Sequence, residues 1–173
     1  MSENQRVSDG HRRRAADTLA RRDPGGILYG AVITASSLAA VSANVSHVQR
    51  VALSVGAVSV VYWLAHVYTE TQEMLFEGDR RPLYRRTPHA AAKEVFILVG
   101  AVPAVVVYLL LDLLGMSASG AAYWALWFSV AFLAVIGYLG AHRADIRGWR
   151  LVLESAGAAS LGILTVLGKL FLH

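Results

Sequence analysis

Apolar residues occur along this chain in five continuous blocks rather than at the spacing of an amphipathic helix. Each block contains about twenty residues, the length that an α-helix needs to cross the hydrocarbon core of a bilayer. A helix also satisfies its own backbone hydrogen bonds in lipid, where no water can replace them. The sequence therefore predicts an all-α integral membrane protein built as a five-helix bundle. The predicted spans are residues 26–43, 51–68, 95–115, 121–140 and 151–172.

Two polar segments accompany the predicted spans. Residues 1–24 are rich in arginine and have no apolar periodicity, so we interpret them as a disordered basic tail. Residues 69–94 are the longest predicted connection, which contains the stretch EGDRRPLYRRTP and is too short and polar to form a core of its own. We therefore predict one transmembrane domain over residues 25–173 and no folded soluble domain.

The composition excludes several classes of function. Only 16% of the 173 residues are charged, against about a quarter in an ordinary soluble domain. The chain has no cysteine, which excludes disulfides, thiolate metal sites and cysteine nucleophiles. The sequence also contains no phosphate-binding P-loop motif, zinc-protease motif or serine-hydrolase motif. We expect a protein that is not an enzyme and has no resident cofactor.

Basic residues concentrate on alternate connections. Of 16 lysines and arginines, all but Arg50 and Lys169 lie in the tail, in residues 69–94 or just before the last span. Since basic connections stay on the cytoplasmic side, we predict a cytoplasmic N-terminus, an external C-terminus and a multi-pass protein of the cell membrane. Asp23-Pro24 and Thr87-Pro88 resemble an N-cap followed by a first-turn proline, so we expect helices 1 and 3 to start there.

The first block has a second interpretation. An arginine pair, an apolar run and small residues ending at Ala43 imitate a secretory signal peptide. The preceding basic region is long, however, and cleavage would remove a span that the alternation of basic connections requires. We therefore favour a retained span.

The cytoplasmic end of helix 2 contains the first candidate site. Tyr62, His66, Glu70 and Glu73 are spaced to share one narrow helical face. Imidazole next to carboxylates is typical of a divalent cation site or a proton relay. The alternative is a solvated helix end that pairs with the arginines at 80–81, with the imidazole hydrogen-bonded between helices.

Three more ionisable residues fall at the same predicted depth. Glu154 lies one turn into helix 5, and His142 and Asp145 end helix 4. Helices 2, 4 and 5 could thus bring a shared site together. The alternatives are an ion pair of Glu154 with Arg147 or Arg150, and a solvated loop for the other two.

Asp112 stands alone near the outer end of helix 3. A charged group in a span is costly, so it either has a role in substrate binding or extends outward to the headgroups.

Small residues mark two predicted helix contacts. Gly26 and Gly30 form a G-x-x-x-G pair in helix 1, and small residues recur in helix 5 at Ser155, Ala158, Ala159 and Gly162. Close backbone approach favours helix association in lipid. These faces could pack within one chain or across a homodimer.

Three stretches support a family resemblance: ILYGAVITASSLAA in helix 1, WLAHVYTETQEM at the end of helix 2, and ASLGILTVLGKLF in helix 5. With five spans and carboxylates at the cytoplasmic end of helix 2, the chain resembles the vacuolar iron transporter family and its bacterial relatives. Val32-Ile33 stand where that family has Asn-Asp, so the expected helix 1 carboxylate is absent. The resemblance implies a bundle that moves a metal ion.

The sequence thus predicts a small transporter of a divalent cation, with His66, Glu70, Glu73 and Glu154 as ligands or proton carriers. Oxygen and nitrogen ligands favour Fe²⁺ or Mn²⁺ as the substrate. The alternative is a non-transporting structural or regulatory subunit whose basic residues bind anionic lipid at the cytoplasmic face. We expect no nucleic-acid binding, because the basic run has no interleaved aromatic residues.

Overall fold

The computed structural model describes residues 24–45 and 47–171, and nearly all of these residues lie in five α-helices. The connections between the helices are short, so successive helices run in opposite directions. All five helices are long and apolar enough to cross a membrane. The prediction of an all-α, multi-pass membrane protein is confirmed, whereas the predicted tail lies outside the described residues, apart from Pro24. The helices are α1 (Pro24–Asn44), α2 (Val48–Phe76), α3 (Leu83–Leu113), α4 (Ala118–Arg143) and α5 (Trp149–Phe171).

The helices α2 and α3 extend well beyond their predicted spans, so the connection predicted over 69–94 shortens to residues 77–82. α3 begins after Pro82, which has extended backbone angles, and Thr87 lies inside the helix with its hydroxyl donating to the Leu83 carbonyl at 2.9 Å. The polar ends remain helical because they contact each other: Arg86 is buried and donates to the Thr71 carbonyl at 2.7 Å.

α1 is the central helix of the bundle. It packs against each of the other four helices, and the most apolar part of α1 is 44% buried, the largest share among the five. The main partners of α2 are α3 and α1, whereas those of α5 are α4 and α1. The helices α2 and α5 therefore lie on different sides of α1.

Two glycines set the distance between α1 and α3. A Cβ atom at Gly30 would overlap the Ile97 carbonyl, and one at Gly100 would overlap the Ile27 carbonyl. Each helix thus presents a glycine to the backbone of the other, which only a residue without a side chain allows. The predicted face of Gly26 and Gly30 is therefore used inside the chain.

The small residues of α5 pack on α4 in the same way. A Cβ atom at Gly162 would lie 2.9 Å from Val130 Cα, and one at Gly137 would lie 2.7 Å from Ala158 Cβ. The Ser155 hydroxyl donates to the Ala134 carbonyl at 2.8 Å. Both predicted small-residue faces are thus occupied within one chain, and the homodimer stays a prediction.

The two ends of the bundle differ in charge. The starts of α1, α3 and α5 and the ends of α2 and α4 form what we call the basic end, because the arginine-rich connections lie there. The opposite end is the far end, where a buried cluster that includes Leu38, Val51, Tyr108, Leu126 and Val166 joins the five helices.

Candidate functional site

A polar cavity opens at the basic end between α1, α2 and α3. Its volume is about 330 Å³. The start of α1 contributes Tyr29, Gly25 and Gly26. The extended part of α2 and the first turns of α3 supply the charged groups. The charged and aromatic side chains that line the cavity are Tyr29, His66, Glu70, Glu73, Lys93 and Glu94.

An ion pair crosses this cavity. Lys93 Nζ lies 2.7 Å from Glu70 Oε2, and the carboxylate side chain is only 13% exposed. The carboxylates of Glu73 and Glu94 also interact electrostatically with the lysine. The carboxylates of Glu70 and Glu73 therefore both act on one ammonium group in a partly enclosed site.

His66 is held in a defined orientation above the carboxylates. Its Nδ1 atom lies 3.4 Å from the Tyr62 carbonyl oxygen, and its ring centroid lies 4.6 Å from the Tyr62 ring and 5.8 Å from the Tyr29 ring. A proton on Nδ1 can donate to that carbonyl, although the bond is long. In that tautomer Nε2 has a free lone pair that can accept a proton or ligate a metal.

The predicted four-residue site is only partly assembled. His66, Glu70 and Glu73 line one cavity, but Glu154 lines a second cavity between α4, α5 and the start of α1. The second cavity includes Leu28, which lies roughly 100° around α1 from the residues that line the first. The ends of α2, α4 and α5 do not line one cavity in this structure, because α1 packs between α2 and α5. A site shared by these three helices stays a prediction.

The structure places His142 and Asp145 on the solvated side of the basic end. Both are exposed. The His142 ring stacks on Tyr138 at 5.9 Å, and Asp145 forms a 2.8 Å ion pair with Arg147. Neither lines one of the two cavities, in agreement with the alternative of a solvated loop. Since Arg147 pairs with Asp145, the alternative of an Arg147 ion pair for Glu154 is not observed.

No metal-ligand cluster is preformed in the part of the chain that the structure describes. No three histidine, aspartate or glutamate side chains of residues 24–45 and 47–171 are grouped closely enough to hold a metal ion. The cavity side chains would have to rearrange around an incoming cation, with Lys93 leaving Glu70.

Asp112 lies at the far end and is exposed. Its charge acts on the buried Tyr108 one turn earlier, whose hydroxyl has no hydrogen-bond partner among the described residues. An exposed carboxylate at a helix end agrees with the interpretation in which it extends to the headgroups.

Sequence reasoning missed Lys93 and Glu94 as site residues. Both lie in residues 69–94, which the sequence pattern predicts as a connection. Continuing the helical pattern of α3 toward its N-terminus would have placed Lys93 seven residues after Arg86, on the same face. The predicted pairing of Glu70 with the arginines at 80–81 is replaced by its pairing with Lys93, while Arg81 pairs with Asp79.

Comparison with known proteins returned no match: no family model, no curated protein and no solved structure is similar to this chain. The chain is therefore described by its own architecture, a multi-pass bundle of five helices with two cavities at its basic end.

Proposed function

We propose that this protein is a small membrane transporter that binds a divalent cation in the cavity of Glu70 and Lys93. The observation that supports the proposal is the 2.7 Å ion pair between these residues, inside a cavity that contains more carboxylates than ammonium groups. The cavity already holds one cationic group, supplied by the chain itself. By the rule for basic connections, the basic end faces the cytoplasm, and the cavity opens to that side.

The mechanism follows from the charge balance. In the resting protein the Lys93 ammonium occupies the position next to Glu70 that a cation would take. A divalent ion brings one more positive charge than the ammonium group, so it compensates the carboxylates better. Oxygen atoms of Glu70 and Glu73 and the imidazole of His66 are the ligand types that Fe²⁺ and Mn²⁺ accept. The displaced lysine is half exposed and can turn to water.

A buried pair of hydroxyl groups lies between α1 and α2, closer to the middle of the bundle than the cavity is. The hydroxyls of Thr34 and Ser59 lie 3.1 Å apart between α1 and α2, two helical turns from His66. Ser59 donates its proton to the Val55 carbonyl at 2.9 Å, so Thr34 is the donor in the pair. These hydroxyls supply oxygen atoms on the same helix interface as the cavity, as a route for cations or protons requires.

Flux measurements test the proposal. Protein in liposomes should move Mn²⁺ or Fe²⁺ faster than empty vesicles, and Glu70→Gln should abolish this flux. Lys93→Met should bind Mn²⁺ more tightly, because the internal competitor is gone. Asp112→Asn is the matched control, since it removes an exposed carboxylate at the far end. Absence of flux in the natural protein would contradict transport, and equal flux in Glu70→Gln would contradict the cavity of Glu70 and Lys93 as the transport site.

A non-transporting membrane subunit is the second candidate. Two contacts favour it because they join α2 to α3 as structural links would. These are the ion pair of Glu70 with Lys93 and the hydrogen bond from Arg86 to the Thr71 carbonyl. In that case the ion pair is structural, and the basic residues of this end bind anionic lipid headgroups. Exchanging the two partners, Glu70→Lys with Lys93→Glu, should then restore thermal stability lost in either single variant, while no variant supports cation flux.

A further inference from the structure

The second cavity at the basic end has a different chemistry from the first. Its volume is about 450 Å³, within the range of roughly 300 to 1,000 Å³ typical of small-molecule sites. Among the residues that the structure describes, Glu154 is the only ionisable residue that lines it, and every other lining residue is glycine, alanine, leucine or isoleucine. One carboxylate thus faces an apolar space.

Four glycines of α4 and α5 have two different kinds of surroundings. Gly137 and Gly162 lie where a Cβ atom would contact the opposite helix within 3 Å, so helix packing explains them. Gly140 and Gly157 line the cavity, and a Cβ atom at either would meet nothing within 4 Å. A glycine inside a helix costs about 0.5 to 1 kcal/mol relative to alanine. Packing does not require these two glycines, and their effect is to keep the cavity open.

The Glu154 carboxylate has no cationic partner among the described side chains. Arg147, one of its two candidate partners, pairs with Asp145, and no ion pair joins Glu154 to Arg150. Glu154 lies about 7.5 Å along α5 from its first residue. The apolar walls continue deeper, toward Leu161. The negative charge is therefore at the mouth and the apolar surface is inside.

We propose that this cavity binds a lipophilic organic monocation, such as an amphipathic ammonium or phosphonium compound. A metal ion needs several polar ligands, whereas the cavity offers one carboxylate and no other polar side chain. A small hydrated ion gains nothing from apolar walls. A cation with a bulky apolar body buries that body against Leu28, Ile136 and Leu161 and places its charge beside Glu154.

Tetraphenylphosphonium binding to the protein in nanodiscs of neutral phosphatidylcholine tests this site. Equilibrium dialysis should show saturable binding of one ion per chain. Glu154→Gln should weaken binding by about tenfold or more, because the bound phosphonium loses the opposite charge at the mouth of the cavity. Glu154→Asp should retain most of the affinity. Tetraphenylborate, with the same body and the opposite charge, should show no saturable binding.

Filling the cavity with a larger side chain provides a second, independent test. Gly157→Val places a side chain in open space and should weaken tetraphenylphosphonium binding, as should Gly140→Val. Gly168→Val is the matched control, because Gly168 also lies on α5 with nothing near its Cβ position but lines the groove between α1 and α5. Asp112→Asn is the matched control for Glu154→Gln.

The chromatographic profile and melting temperature of each variant show whether it is folded, and only folded variants are compared. If Gly140→Val does not fold, the binding affinities of Gly157→Val and Glu154→Gln test the proposal. Non-saturable binding, equal binding of the two tetraphenyl ions, or equal affinity in Glu154→Gln and Asp112→Asn would overturn the proposal. Saturable, charge-selective binding that both glycine variants weaken supports it.

Discussion

The ammonium group of Lys169 donates a 2.7 Å hydrogen bond to the hydroxyl of Ser42, which joins the last turn of α5 to the end of α1. Both residues are buried, with 4% and 7% of their surfaces exposed. A buried ammonium group in a membrane helix is costly unless its hydrogens are bonded. This contact fixes α5 against the central helix at the far end.

We predict that Ser42→Ala lowers the free energy of unfolding by about 1 to 3 kcal/mol, because it leaves a buried donor unsatisfied. Lys169→Met should cost less or stabilise the protein, since an apolar side chain of similar length replaces a buried charge. In the double variant the two effects should not add. Denaturant unfolding in detergent measures all three, with Ser160→Ala as the control at an exposed hydroxyl of α5. Equal effects of Ser42→Ala and Ser160→Ala would contradict the prediction.

The crossing of α1 and α3 should be intolerant of side chains. Gly30→Ala adds a methyl group that overlaps the Ile97 carbonyl, and backbone atoms can give way only if the helices separate. We expect the free energy of unfolding to fall by about 1 to 3 kcal/mol, the usual cost of overpacking a core. Gly56→Ala is the control in α2, where a Cβ atom meets nothing within 4 Å. That change should be neutral or stabilise the helix by about 0.5 to 1 kcal/mol. Melting temperatures that rise in both variants would show that the contact is not close.

The connection between α2 and α3 should keep its ion pair in acid. Arg81 donates to the Asp79 carboxylate through its side chain and its backbone N–H, and this lowers the pKa of Asp79 to about 2. A lowered carboxyl pKa means that the stabilisation is fully present above the ordinary value of 3.8 and is lost as the pH falls toward 2.

A carbon NMR titration of the Asp79 carboxyl tests this. The natural protein should titrate near the lowered pKa, and Arg81→Gln should return the midpoint toward the ordinary value. Arg85→Gln, which changes an arginine outside this ion pair, should leave the midpoint in place. A midpoint that is the same with and without Arg81 would show that the hydrogen bonds from Arg81 to the Asp79 carboxylate are absent in solution.

Orientation is tested separately from the fold. A periplasmic reporter fused after Phe171 should be active, and a cytoplasmic reporter inserted after Gly78 should be active, because the positive-inside rule predicts that the basic end lies in the cytoplasm. Neutralising the arginines at 80–81 and 85–86 makes the basic end less positive. This change should reduce the preference for one orientation. The opposite reporter pattern in the natural protein would reverse the proposed access to both cavities.

The sequence by itself determined the all-α class and the five spans. Apolar blocks of bilayer length can be satisfied in lipid only by helices, so local pattern is enough. The sequence also placed His66, Glu70 and Glu73 on one face of α2, because the helical period fixes the relative direction of side chains that are close along the chain.

Only the tertiary structure decided which helices share a cavity. The central position of α1 separates Glu154 from Glu70. The packing of α2 against α3 brings Lys93 to Glu70, and the close approach at Gly30 and Gly100 holds α3 against α1. The spacing along one helix predicts a face, but the neighbour of that face depends on contacts between residues that are far apart in the chain. The polar ends of α2 and α3 stay helical for the same reason, because contacts between the helices stabilise turns that hydropathy assigns to a connection.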